Sequence, residues 1–294
     1  MPESFSNQLI ACVQKWLPAR TLGRCIYWLS RNEWVWLKNS LINCFSWFYS
    51  VNVSEAEKPV PSGYRHFNAF FTRKLKLGVR PIDARHDSFV CPADGTLAQF
   101  GYARETELLQ AKGRTFLTKD LLGDAQMAAS LGNCAYATIY LAPYNYHRLH
   151  MPLEGTLEST LFIPGRLYSV NARTAAAVPN LYAVNERLVC QFRSAHGSFV
   201  MVLVGAMNVA SISTAWGGEI MPPADSNVVR TNFSGQPSAP SLKRGSYMGH
   251  FNMGSTIIVL APPTLLTWDT SLQTGNLLRV GQRMGSVSEY YEPG

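Results

Sequence analysis

This chain has no Cys-x-x-Cys pair, no zinc-finger spacing, no dense stripe of lysine and arginine and no aromatic motif of the RNA-binding kind. The net charge of +7 therefore favours anionic lipid over nucleic acid as an acidic partner. The six cysteines, at 12, 25, 44, 91, 134 and 190, are scattered. That fits free thiols in a reducing cytoplasm; the even count keeps disulfides as the alternative. Residues 1–11 carry Glu3 and polar side chains and lack a charged start followed by a long apolar stretch, so no secretory signal is read there. No internal repeat is found. The 294 residues suffice for a substantial core, in one large domain or two small ones.

The first fifty residues hold Trp16, Trp28, Trp34, Trp36 and Trp47, five of the seven tryptophans. They also hold Lys15, Arg20, Arg24, Arg31 and Lys38 against only Glu3 and Glu33. The uncharged run 39–54 contains Asn, Ser and Cys and falls short of the roughly 20 apolar residues of a spanning helix. Helices of this composition suit a membrane interface, where indole rings sit at headgroup depth and basic residues meet anionic lipid. The alternative is plain packing on the domain or on a partner subunit. Residues 51–65, with Pro59, Pro61 and Gly63, read as a linker.

Beyond about residue 88, short β-rich runs alternate with Gly/Pro turns, for example 135–141, 188–192, 199–204, 209–213 and 256–260. The expected class is α+β: N-terminal helices at 1–65, then a catalytic domain at 66–294 built as a mostly antiparallel β sandwich or flattened barrel. Glycine placement at Pro92-Ala93-Asp94-Gly95-Thr96 and Val280-Gly281-Gln282-Arg283-Met284-Gly285 gives a weak likeness to lipoyl-type hybrid barrels. One helix is expected over 118–131, capped by Thr118, with Asp120 in its first turn and Gly132 past its end. The polar stretch 225–241 reads as a mobile loop.

Single residues say little by themselves. Asp94 before Gly95 is first of all a turn residue. Ser255 in Gly254-Ser255-Thr256 is first of all a strand residue. His147 and His150, between Pro143 and Pro152, are first of all half-buried, hydrogen-bonded side chains. No third ligand at suitable spacing supports a metal site. Chemistry emerges when the segments are taken together. A serine hydroxyl can attack the preceding carbonyl, imidazole can take its proton, and a carboxylate on the other ring nitrogen would fix the tautomer. Glycine at 254 leaves room for the attack and tolerates strain.

In their order, Cys91-Pro92-Ala93-Asp94-Gly95-Thr96, Tyr144-Asn145-Tyr146-His147-Arg148-Leu149-His150 and Met253-Gly254-Ser255-Thr256 resemble the phosphatidylserine decarboxylase proenzymes. So do Phe67-Asn68-Ala69-Phe70-Phe71, Arg80-Pro81-Ile82-Asp83 and Met248-Gly249-His250-Phe251. The family motif Leu-Gly-Ser-Thr reads Met-Gly-Ser-Thr here, a change small in volume. The resemblance implies self-cleavage between Gly254 and Ser255, with Asp94, His150 and Ser255 as the triad. Ser255 becomes a pyruvoyl group, the covalent cofactor, and no metal is used. Chains 1–254 and 255–294 remain together as a heterodimer. The pyruvoyl forms a Schiff base with the amine of phosphatidylserine in an anionic membrane, His147 handles the substrate, and carbon dioxide leaves. The enzyme is expected peripherally on the cytoplasmic side of the cytoplasmic membrane, with no nucleic-acid partner; a homodimer through the N-terminal helices is compatible. The competing readings are a pyruvoyl enzyme for a soluble amino acid, a serine hydrolase that stays in one piece, and an inactive membrane-binding protein.

Overall fold

The computed structural model describes residues 19–111, 113–206, 211–220 and 227–288. Its centre is the strand Ser255–Ala261, whose seven residues are all buried. Its β-branched and aliphatic run has no polar face, as expected of a strand enclosed on both sides. Gly197–Gly205 pairs along one edge and Ala135–Leu141 along the other, both antiparallel. Arg187–Ser194, Gly155–Ile163 and Val229–Asn232 extend the sheet one way, and Gly95–Tyr102 and Leu277–Leu278 the other.

Alternation along the central strand divides the core in two. Ile257, Val259 and Ala261 join one apolar cluster, and Ile258 and Leu260 another. The first is shared with Leu149, Ile212, Met248 and Phe251 of a four-stranded sheet, and with Phe89, Leu266 and Met284 of a three-stranded one. The second is closed by the short helices Thr118–Leu122, Ala125–Leu131 and Leu181–Val184 and by the hairpin Glu107–Ala111/Arg114–Leu117. The protein is thus mixed α/β with mostly antiparallel sheets. The four- and three-stranded sheets pack on one face, short helices and the two-stranded hairpin on the other, and no closed barrel forms among the described residues.

Strands arise within the expected runs 135–141, 188–192, 199–204 and 256–260. Of the run 209–213, residues 209 and 210 lie outside the described residues, and the strand there is Ile212–Thr214. The expected helix over 118–131 is two helices. Gly123, at φ +63°, ends the first, and the side chain of Asp124 caps the second through Met127 N at 2.9 Å. Thr118 caps neither; its hydroxyl donates to Thr106 O at 2.7 Å. The stretch read as a mobile loop contains the strand Val229–Asn232, paired to Gly155–Ile163. It is an exposed edge strand, and the absence of a buried face hid it from a reading based on polarity. Residues 225 and 226 lie outside the described residues.

At the N-terminal end, Ala19–Ser30 and Val35–Phe48 are helical. Ile42 is fully buried in a cluster with Val51, Tyr64, Phe67, Phe70 and Phe71, against which Met253 also packs. Residues 51–65 are therefore packed rather than loose: Val51, Ala56 and Tyr64 are buried, and Ala56 bridges to Leu75. Trp16 lies outside the described residues. Trp28, Trp34, Trp36, Trp47 and Phe48 face outward, Trp47 being 83% exposed. No described helix is long and apolar enough to cross a membrane.

Truncating the central strand should be expensive. Ile258→Ala is expected to destabilise by about 2–5 kcal/mol, the usual range for an aliphatic side chain removed from a closed core. The check is a lowered urea midpoint at unchanged slope.

Candidate active site

Ser255 is the first residue of the central strand, in register with Leu141 and Gly205. It is 1% exposed, and its Oγ has no hydrogen-bond partner. By strand alternation it shares the face of Ile257 and Val259, the face covered by the four-stranded sheet. The turn that delivers it is held from behind. Asn252 donates from Nδ2 to Ser211 Oγ at 2.8 Å and Ser213 Oγ at 2.9 Å, and accepts from Asn68 Nδ2 at 2.8 Å. The next residue, Met253, has φ +97°, a conformation that L side chains avoid. Strain of this kind is worth of order 1–3 kcal/mol and persists where neighbours over-determine the backbone. Here it sits one residue before the expected cleavage bond. Gly254 itself is not at positive φ, and a Cβ there would meet no atom within 4 Å. The positive φ in this turn is carried by Met253.

His150 ends the short strand Arg148–His150. Its Nδ1–H donates to Gly245 O at 2.8 Å, which leaves the Nε2 lone pair to accept from Tyr146 OH at 3.1 Å. Burial pulls its pKa below the ordinary imidazole value; the Gly245 bond opposes this, Arg148 adds to it and Asp94 opposes it. The neutral ring is therefore the resting form near neutral pH, with its basic nitrogen at Nε2.

Asp94 is buried beside this cluster, and His150 N donates to Pro92 O at 2.8 Å. The glycine after Asp94 is required by close pairing: a Cβ on Gly95 would lie 2.5 Å from Tyr140 O. The Asp94 carboxylate accepts from Arg80 Nε at 2.9 and 3.0 Å, from Arg80 Nη2 at 2.5 Å and from Val280 N at 2.9 Å. Arg80 also reaches Glu55 at 2.8 Å. The carboxylate–imidazole hydrogen bond expected from the sequence is not formed. A fixed cation with a forked donor outcompetes a neutral ring N–H, and a backbone carbonyl fixes the tautomer instead. Burial is the largest influence on the His150 pKa, and the Asp94 charge, which opposes that lowering, is the smallest.

His147 is fully buried in the turn after Leu141, its ring 4.0 Å from that of Phe71. Nδ1–H donates to Asn145 O at 2.9 Å, and Nε2 has no partner. Burial pushes its pKa down to about 3, so the ring is neutral and Nε2 is an acceptor. The structure thus places the buried Asp94 near the half-buried His150 and leaves the Ser255 hydroxyl and His147 Nε2 unpartnered. Neither nitrogen of His150 is bonded to Ser255. Arg80, Glu55, Tyr146 and Gly245 were not singled out from the sequence. Tyr146 bonds His150 four residues on, within its own motif, but nothing local reveals the partners of Arg80, 14 and 25 residues away, or the Gly245 partner of His150, 95 residues away. Among the described residues no three His, Cys, Asp or Glu side chains gather as a metal site requires.

A family model described as phosphatidylserine decarboxylase matches residues 67–286, and a second, described as PSD, matches residues 9–50. The chain is 43% identical over 280 residues to a phosphatidylserine decarboxylase proenzyme of Methylococcus capsulatus, covering 95% of this chain and 96% of the relative. It is 44% identical over 285 residues to the proenzyme of that name from Ectopseudomonas mendocina, covering 96% and 99%. For the Haemophilus ducreyi proenzyme the identity is 41% over 289 residues, covering 97% of each. Aligned with these relatives nearly end to end, with a buried, unpartnered serine behind a strained turn, the chain belongs to the phosphatidylserine decarboxylase family.

Proposed function

We propose that this protein cleaves its own backbone between Gly254 and Ser255, converts Ser255 to a pyruvoyl group, and decarboxylates phosphatidylserine to phosphatidylethanolamine. The observation that carries the reading is Ser255 Oγ, buried without a partner immediately after Met253 at φ +97° and Gly254. A hydroxyl kept from water and from protein acceptors is free to bond to the carbonyl carbon that precedes it.

In the first step the Oγ–C bond forms, the C–N bond of Gly254–Ser255 breaks, and the hydroxyl proton passes to the released nitrogen. His150 Nε2 is the base for this transfer, and Tyr146, bonded to that nitrogen, gives way or relays the proton. Elimination of the ester then leaves a carboxylate on Gly254. Hydrolysis of the dehydroalanine, with loss of ammonia, caps residue 255 with a ketone. That pyruvoyl group captures the substrate amine and accepts the electron pair as carbon dioxide leaves. His147 Nε2, an acceptor in the neutral ring, takes up a proton and passes it on to the substrate carbon. Enclosure of Ser255 excludes water from competing.

The lipid reaches this site from a membrane surface. Trp34, Trp36, Trp47 and Phe48 form an outward aromatic face on the helix whose other face contributes Ile42 and Phe45 to the cluster packed on Met253. We place the enzyme peripherally on the cytoplasmic leaflet. The electrostatic share is smaller than five basic residues suggest. Arg31 pairs with Glu219 at 2.6 Å, and Lys38 is buried, donating to Asn39.

Intact mass of the purified protein should show fragments 1–254 and 255–294, the latter reactive with hydroxylamine, while Ser255→Ala stays whole. A wild-type chain that remains single would favour a plain hydrolase. Because the His150 pKa is depressed, the base stays deprotonated below the ordinary imidazole value of about 6.5. The cleavage rate should therefore be flat from pH 8 through 6.5 and fall only under more acidic conditions; a fall centred on or above 6.5 would remove His150 from this role. Replacing Trp34, Trp36 and Trp47 together by Ser should release the protein from anionic vesicles. It should slow long-chain lipid far more than short-chain soluble phosphatidylserine. Equal loss on both would make these rings part of the fold.

A further inference from the structure

Arg73 follows the helix Phe67–Phe71 and is 4% exposed. Its Nε and Nη1 have no partner, and Nη2 reaches only Tyr144 O, at 3.5 Å. Its guanidinium lies 5.1 Å from the centroid of the Phe70 ring. The neighbouring cations are committed elsewhere: Arg80 to Asp94 and Glu55, and Arg148 to Thr72 O. Those same carboxylates act on Arg73 by charge and offset part of its burial, but neither of them accepts from its N–H donors. A guanidinium cannot shed its charge, and buried N–H donors left unpaired are unfavourable, so an incoming anion with free oxygens would complete it.

Its position says which anion. Tyr144 and His147 belong to the turn that leaves Leu141, the residue in register with Ser255. The ring of Tyr144 is 45% exposed, so the turn that borders Arg73 also borders solvent. Phe70 and Phe71 are in the aromatic cluster that joins the outward tryptophan helix to Met253. Arg73 thus touches both the aromatic cluster, through Phe70, and the turn that leaves Leu141, through Tyr144 O. His147 offers Nε2 as an acceptor, and an acceptor does not bind an anion's oxygens. Free N–H donors are found on Arg73.

Resting on the phosphatidylserine reading above, we infer that Arg73 is the binding residue for the substrate's phosphodiester. The substrate's carboxylate is the wrong match. It loses its charge as carbon dioxide forms, so a guanidinium held on it would stabilise the ground state more than the transition state. The phosphodiester keeps its charge throughout. The role assigned to His147 is then confined to the proton, and the anion belongs to Arg73.

The test uses processed full-length enzyme and short-chain soluble phosphatidylserine, with processing checked by intact mass. Arg73→Gln should raise KM roughly 10- to 100-fold, the range for lost hydrogen bonds to a charged group, with a much smaller change in kcat. Arg73→Lys should recover part of the loss. On the wild-type enzyme, glycerophosphoethanolamine carries the phosphodiester without the carboxylate, and serine the reverse. The first should compete with substrate at a concentration at least ~10-fold below the second. The competition stands even where the variants fail to process. An unchanged KM in Arg73→Gln, a loss confined to kcat, or serine competing as well as glycerophosphoethanolamine would overturn the assignment. Failure of the underlying reading looks different: wild-type protein would neither react with hydroxylamine nor turn over phosphatidylserine.

Discussion

Ser255 opens a strand that is buried on both faces and hydrogen-bonded along both edges, and the rest of the molecule depends on that enclosure. A strand so placed cannot leave once its N-terminal peptide bond is cut. Its side chains fill both halves of the core, and its backbone groups have no alternative partners inside the protein. Cleavage can therefore create a new chain terminus without releasing it. The same enclosure fixes where the new terminus lies, at the edge of the face on which the four-stranded sheet carries His150. The proposed cut would give up covalent continuity at a place where packing makes it unnecessary.

The Asp94 cluster serves that arrangement in a second way. Arg80 and Glu55 come from before the cut, and Val280, whose N–H donates to Asp94, comes from after it. The carboxylate thus ties the segment 255–294 to the rest while its charge acts on His150. An aspartate read from sequence as a direct partner of histidine is in three dimensions the hub of an ion-pair network. Its effect on the imidazole is electrostatic, and the hydrogen bond that orients the ring comes from Gly245.

The N-terminal helices are joined to the reaction site by packing rather than by a hinge. The aromatic cluster around Phe67, Phe70 and Phe71 takes Ile42 from one side and Met253 from the other. A residue held at positive φ next to the cleavage bond thereby rests on the element with the outward tryptophans. Polar contacts run along the same route. Arg31 pairs with Glu219, which bonds Ser211, which in turn accepts from Asn252. The outward tryptophans and the geometry of the turn are parts of one connected structure.

Much of this was readable from residues in order. Apolar runs with β-branched residues marked the central strands, because a doubly buried strand leaves no room for polar side chains. The resemblance carried by the three motif segments singled out Asp94, His147, His150 and Ser255 as the proposed site. Less was readable where partners decide. The break at Gly123-Asp124 was passed over in favour of a longer helix, and the edge strand Val229–Asn232 looked like loop because edge strands lack a buried face. The bonds of Asp94 to Arg80 and Val280, of His150 to Gly245, and the isolation of Arg73 are set by residues far apart in the chain. The sequence by itself determined which chemical groups exist and in what order. Only the tertiary structure decided which of them are bonded to each other, because hydrogen-bond competition in a buried site is won by proximity and charge, and neither is encoded locally.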